Sequence, residues 1–224
     1  MNLKQKVLMS VGTLGVAAAV AAGGSFATFN AQTTNPGNTF ATGTLVMSNT
    51  VNTGTACLST GGGSINTNVN NACDALFNLT VRKPGDTATA NLTIKNEGSI
   101  DAAALKSFAT GCTDGDASGE AYHGTGLPCS AVQLYIQQTD SAFTAKTACV
   151  YGGATVANTC DFSDTSKTIG DFAASHSNST NGLSIGGLTA GSSNYFVVGV
   201  KLPSTADNTY QGRQATVGLS WFMQ

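Results

Sequence analysis

Apolar and polar side chains alternate residue by residue in several segments of this chain, and this pattern constrains the fold more than any other feature. In residues 87–95, every odd position is polar and every even position is apolar. A period of two is typical of a β-strand with one face on a core and the other in solvent. The same alternation recurs with apolar side chains at Phe77, Leu79 and Val81; at Val132, Leu134 and Ile136; at Phe196, Val198, Val200 and Leu202; and at Ala215, Val217, Leu219, Trp221 and Met223.

The segments between these strands complete an all-β prediction. Residues 83–86 (KPGD) predict a tight hairpin turn, because proline fixes φ and glycine permits the reversal. Residues 39–47 and 150–156 are further strand candidates, and only residues 101–108 predict a short helix. Many short strands without a strand–helix–strand rhythm favour one jelly-roll-like β-sandwich domain over residues 39–224.

Charged residues are scarce and unevenly placed. They make up 10% of the 224 residues, against about 25% in ordinary soluble domains. After Lys4 and Lys6, the next charged residue is Asp74. The sequence contains no basic patch that could neutralise a phosphate backbone, so we expect no nucleic-acid partner.

The N-terminus has the pattern of a secretory signal peptide. A basic stretch, residues 1–6, precedes sixteen uncharged and mostly apolar residues, 7–22. Ser25 and Ala27 then put small side chains at the −3 and −1 positions, which predicts cleavage between Ala27 and Thr28. Because a spanning helix needs about 20 apolar residues, we expect residues 1–27 to be a removable leader rather than a retained anchor. The predicted mature protein is secreted and touches the membrane only during export.

The six cysteines predict disulfides. An even count in an exported chain favours disulfides over thiols or metal ligands, and no CxxC spacing occurs. Six cysteines permit 15 pairings, and the spacing alone does not choose among them. Proximity in sequence suggests three bridges that would each staple a long loop: Cys57–Cys73, Cys112–Cys129 and Cys149–Cys160.

Catalytic and metal-binding motifs are sparse. The two histidines, His123 and His176, belong to no HExxH motif, and no acidic residue at a helical offset completes a zinc triad with them, so we expect no zinc site and no enzyme. Asp114, Asp116 and Ser118 match positions 1, 3 and 5 of a calcium loop, but position 12 is Thr125 instead of glutamate. We therefore expect no cofactor. An ordinary acidic, glycine-rich loop is the expectation here, and a calcium site is the alternative.

Three blocks of sequence resemble the TasA/camelysin family of secreted bacterial proteins, which includes fibre subunits of biofilm matrices. The first block is GGSFATFN at residues 23–30, with NTFATGTL at residues 38–45. The second is KPGD at residues 83–86 followed by LTIKNEGSI at residues 92–100. The third is LPS at residues 202–204 followed by NTYQG at residues 208–212.

The resemblance implies a jelly-roll fold, removal of the leader by a SipW-type signal peptidase, and homopolymerisation by donor-strand exchange. In that arrangement an N-terminal arm, residues 28–38, would complete the sheet of a neighbouring copy. An uncharged arm suits this role, because it can add backbone hydrogen bonds to an open sheet edge. The residues predicted to form the donor strand are Thr28, Phe29, Asn30, Ala31, Gln32, Thr33, Thr34 and Asn35.

The sequence therefore favours a non-enzymatic subunit of extracellular or cell-surface fibres. Two alternatives belong to other classes of protein. A secreted camelysin-type metallopeptidase is disfavoured by the missing zinc motif. A monomeric adhesin or carbohydrate-binding sandwich is disfavoured because only 7% of the residues are aromatic.

Overall fold

The computed structural model describes residue 39 and residues 41–62, 68–79 and 83–224. The predicted leader, the cleavage site and the predicted arm lie outside these residues. Residues Thr42–Gln224 group into one compact unit, which is the unit described below.

Strands dominate this unit. The helices among the described residues are α1 (Pro128–Ala131) and α2 (Ile169–Ser175), with single 3-10 turns at Ser59–Gly62 and Asn208–Tyr210. No helix in this part of the chain is long and apolar enough to cross a membrane. The strands are β1 (Met47–Val51), β2 (Cys57–Leu58), β3 (Thr87–Asn96), β4 (Ala102–Asp116), β5 (Gln133–Thr139), β6 (Lys146–Tyr151), β7 (Gly153–Val156), β8 (Thr159–Asp161), β9 (Leu183–Leu188), β10 (Ser193–Lys201) and β11 (Arg213–Met223).

The strands form two main antiparallel sheets and one small one. The larger sheet has the order β2-β1-β3-β10-β5-β6, and the smaller has the order β11-β4-β9. Strands β7 and β8 form a separate hairpin. Side chains from both main sheets share one hydrophobic core, in which the rings of Phe196 on β10 and Trp221 on β11 lie 4.9 Å apart. The predicted all-β sandwich is confirmed.

The strands predicted from alternation are mostly confirmed. In β3, the apolar residues Leu92 and Ile94 are completely buried. Strands β5, β10 and β11 cover three other segments predicted from alternation, and β6 and β7 cover residues 150–156 except residue 152. Each of these segments had either strict alternation or a strand-rich composition, so its local pattern agreed with its place in the sandwich.

The predicted helix at residues 101–108 is wrong, because this segment begins strand β4. Its alanines and Leu105 have good helix propensity, but β4 is the central strand of the smaller sheet and pairs with β11 and β9 on its two sides. Leu105, Ser107 and Ala109 point inward with a period of two and are completely buried. Tertiary pairing has overridden the local preference.

Two other predicted strands are only partly present. The first regular strand begins at Met47 rather than at residue 39, because residues 44–46 bond to the loop at residues 97–100: Glu97 N donates to Val46 O at 2.7 Å. Residues 77–79 are not a strand, and residues 80–82 lie outside the described ranges. The KPGD turn is present, with Asp86 N donating to Lys83 O at 3.0 Å, but in the described residues it does not join two strands.

One face of β5 differs from the prediction. Gln133 and Gln137 were expected to face solvent, yet both are buried. The Gln137 amide satisfies its polar atoms there: Nε2 donates to Ala148 O at 2.8 Å, and Oε1 accepts from Cys160 N at 2.6 Å. Strand β8, which contains Cys160, therefore covers the face of β5 that the alternation pattern predicted to face solvent.

Candidate assembly surface

Strand β11 forms a long edge of the smaller sheet. It is eleven residues long and, among the described residues, pairs only with β4. Its other side therefore presents backbone donors and acceptors that can pair with another strand. Natural edge strands are usually protected by charged residues, prolines or short length. After Arg213 at its start, β11 contains neither a charged side chain nor a proline, so most of this edge lacks these protective features.

The inward face of β11 is unevenly covered. Trp221 and Met223 are buried at 8% exposure each, whereas Ala215, Val217 and Leu219 are only half-buried although they pack against the core. Trp221 Nε1 is also buried and has no hydrogen-bond partner in the part of the chain that the structure describes. On this side of the sandwich, the described strands therefore leave three apolar side chains of β11 half-exposed and one buried indole N–H without a partner.

Irregularity in this part of the sheet falls on β4 rather than on β11. Between the pairs Val217–Cys112 and Leu219–Ala109, β4 contributes one more residue than β11. Gly111 in this bulge has φ +104°, which glycine adopts without steric cost. The backbone of β11 keeps its regular alternation.

The other sheet edges are shorter or already flanked. Strand β2 has two residues, and Cys57 in it is bridged to Cys73. Strand β6 has six residues and is linked to β8 by the Cys149–Cys160 bridge. Strand β9 has six residues, and its register with β4 shifts twice. Among the described residues, β11 is thus the longest edge strand.

All six cysteines are paired as proximity in sequence suggested. The bridges join Cys57 to Cys73, Cys112 to Cys129, and Cys149 to Cys160. Cys129 and Cys160 are buried. The second bridge connects β4 to α1, and the third connects β6 to β8.

The calcium candidates have partners within the protein. Asp114 and Asp116 lie in β4, and Ser118 follows in a turn. Asp114 Oδ1 accepts from Cys129 N at 2.7 Å, and Asp116 pairs with Arg213 at the start of β11. These contacts hold α1 and β11 against β4.

The two histidines lie in different surroundings. His123 Nδ1 is 2.7 Å from Gly212 O, with the Asp116 carboxylate 3.9 Å away. His176 ends α2 and packs against the rings of Phe172 and Tyr151. Among residues 41–62, 68–79 and 83–224, no three His, Cys, Asp or Glu side chains come together to hold a metal ion. The side chains described here therefore do not fit a zinc centre.

A hydrogen bond between the buried Tyr151 and the half-buried Asp171 lies beside His176. Tyr151 Oη donates to Asp171 Oδ2 at 2.6 Å. Burial, together with this hydrogen bond, raises the pKa of Tyr151, so the phenol stays protonated at physiological pH. The pair fixes α2 against β6.

The fold defines the class: a disulfide-bonded, all-β sandwich in which β11 is the longest edge strand among the described residues. The sequence model of the family described as camelysin metallo-endopeptidase matches residues 2–123, more than half of the chain. The protein therefore belongs to the camelysin family. This confirms the resemblance to TasA and camelysin noted in the sequence. A search of curated proteins finds no match.

Sequence reasoning placed the assembly site only in the N-terminal arm, whose residues lie outside the described ranges. It missed the edge of β11. A signal was present in the sequence, because the last alternating strand, β11, carries no proline and no charged side chain after Arg213. Alternation alone, however, does not show whether a strand lies at the edge or in the middle of a sheet.

Proposed function

We propose that this protein is a structural subunit of extracellular fibres. Export would remove residues 1–27, and the arm at residues 28–38 would then add as a strand to a neighbouring copy. Membership of the camelysin family, the signal-peptide pattern and the uncharged arm support this proposal.

The observation that carries this proposal is that the arm precedes the compact unit in the sequence. The compact unit begins at Thr42, and the described core is built from Leu45 onward, with strands from both sheets. The arm precedes that unit and contains no charged residue. A segment of this kind can bind the edge of another sandwich through its backbone, while apolar side chains such as Phe29 enter the core. Pro36 lacks a backbone donor and marks the end of the inserted strand. Cleavage after Ala27 would free the arm, so removal of the leader would start fibre assembly.

Removal of the arm is expected to abolish elongation. Mature protein lacking residues 28–35, or carrying Phe29→Asp, should remain a folded monomer because the described core begins at Leu45. A carboxylate at residue 29 would have to lose its hydration on insertion, which is strongly unfavourable. Phe29→Leu is the matched control and should elongate, since it keeps an apolar side chain. Sedimentation and negative-stain microscopy measure fibre formation. Fibres of normal width formed by the deletion variant alone would show that donor-strand exchange through this arm is wrong.

The family description supports a second candidate function, a metallo-endopeptidase. We expect the mature protein, incubated with Zn²⁺ and unfolded casein, to show no hydrolysis that a chelator abolishes, because the described residues bring no three ligands together. The double variant His123→Ala with His176→Ala is the control. Chelator-sensitive hydrolysis that this variant loses would establish the peptidase and place its ligands at the two histidines.

A further inference from the structure

Within residues 41–62, 68–79 and 83–224, no strand lies on the free side of β11, and some of its inward side chains are only half-buried. On the central strand β4, Leu105 and Ala109 are completely buried. On β11, Val217 and Leu219 face the same core but remain half-buried. A strand placed beside β11 would bring its inward side chains next to these two residues and complete their burial.

The buried indole of Trp221 does not itself require an added strand. Its Nε1–H is buried without a partner among the described residues, whereas buried donors in folded proteins are almost always paired. An added strand brings backbone carbonyls and polar side chains along the edge of β11. The indole is already enclosed by the subunit's own atoms, so an added strand contributes backbone pairing and cover for the half-buried Val217 and Leu219.

The free edge and the arm have matching chemistry. Eight extended residues span roughly 26 Å at about 3.3 Å per residue, which fits within the eleven residues of β11. Neither residues 28–38 nor residues 214–224 carry a charged side chain, so their pairing buries no charged side chain. We propose that the free edge of β11 is the acceptor site for the N-terminal arm of a second copy of this chain.

This inference rests on the proposed function and deepens it by separating two roles in one subunit. The arm is the donor and β11 is the acceptor, so each contact joins two different surfaces. Repetition of such a contact gives a ring or an open filament. A subunit defective only in accepting still donates, and a subunit defective only in donating still accepts.

The test introduces a charge on the inward face of β11. In the mature full-length chain, Val217→Lys leaves the ammonium group near solvent in the monomer, because Val217 is half-buried there. The added strand would bury that charge, so elongation should slow by about 100-fold or more. Ile185→Lys is the matched control: it is a half-buried, inward-facing position on β9, the other edge of the same sheet, and should elongate normally.

Mixing the variants separates the two roles. Val217→Lys can donate and Phe29→Asp can accept, so an equimolar mixture should form one-to-one dimers and no fibres. Sedimentation velocity distinguishes dimers from monomers. Monomers alone in this mixture, with both variants natively folded, would overturn the assignment of β11.

A cross-linking measurement decides the question even if Val217→Lys fails to fold. A photoreactive phenylalanine analogue at residue 29 of the otherwise unchanged mature chain should capture peptides of β11, identified by mass spectrometry. Capture of β9, β6 or β2 instead would overturn the inference, as would normal elongation by Val217→Lys. Two other results would contradict both the proposed function and this inference. They are normal elongation by Phe29→Asp and the absence of fibres from the unaltered mature protein. If only the β11 results fail, the proposed function stands and the acceptor lies elsewhere.

Discussion

Reduction of the three disulfides is expected to lower the free energy of unfolding by about 9 kcal/mol. The bridges close sequence separations of 17, 16 and 11 residues, and in the chain-entropy model each contributes about 3 kcal/mol. The sum is comparable to the entire stability of a typical domain, about 5–15 kcal/mol. The reduced chain should therefore be largely unfolded near 37 °C. Denaturant titration followed by circular dichroism, with and without reductant, measures the change.

Two paired variants separate loop entropy from packing. Cys57→Ala with Cys73→Ala and Cys112→Ala with Cys129→Ala open loops of nearly equal length, so the entropic loss is almost the same. Cys129 is buried and Cys112 packs against the core, whereas Cys57 and Cys73 are only partly covered. The second pair should therefore cost more stability, by about 1 kcal/mol.

Intact mass should rise by six hydrogen atoms on reduction. Free thiols at Cys112 and Cys129 in the oxidised protein would contradict this account.

Replacing Asn96 is expected to cause the largest loss from a single side chain, about 3 kcal/mol. This residue at the end of β3 is completely buried. Its Nδ2 donates to Leu188 O and to Ile100 O, each at 2.9 Å, and its Oδ1 accepts from Gly98 N at 3.0 Å. Asn96→Leu keeps the volume but leaves these buried groups without partners, which costs more than the bonds themselves contribute. The midpoint of thermal unfolding should fall by roughly 10 °C.

Asn49 provides a matched control in the neighbouring strand β1. Its Oδ1 is buried without a partner among the described residues, and its backbone pairs with Ile94 of β3. Asn49→Leu removes an unsatisfied polar atom, so stability should be unchanged or higher. Equal losses from the two substitutions, measured by differential scanning calorimetry, would show that the three hydrogen bonds of Asn96 are not the source of its effect.

The role of Asn96 illustrates what the sequence left undetermined. Residues 92–100 stood out as a block that resembles the family, but nothing local indicated that this asparagine would link β3 to Leu188, 92 residues later in the chain. Hydrogen bonds of this kind depend on which strands the tertiary fold brings together. The same holds for Gln137, which alternation assigned to solvent and which is buried under a segment that arrives after it in the chain.

By itself, the sequence determined the all-β class and the positions of β3, β5, β10 and β11, and proximity suggested the cysteine pairing that the structure shows. These features depend on local periodicity and short separations, which a single chain displays directly. Tertiary structure alone decided that residues 102–116 form a central strand and that β11 lies at an edge. The physical reason is that strand neighbours are set by backbone hydrogen bonds between distant segments. Every residue type except proline offers the same backbone donor and acceptor. The local sequence therefore does not show which strand will be the neighbour.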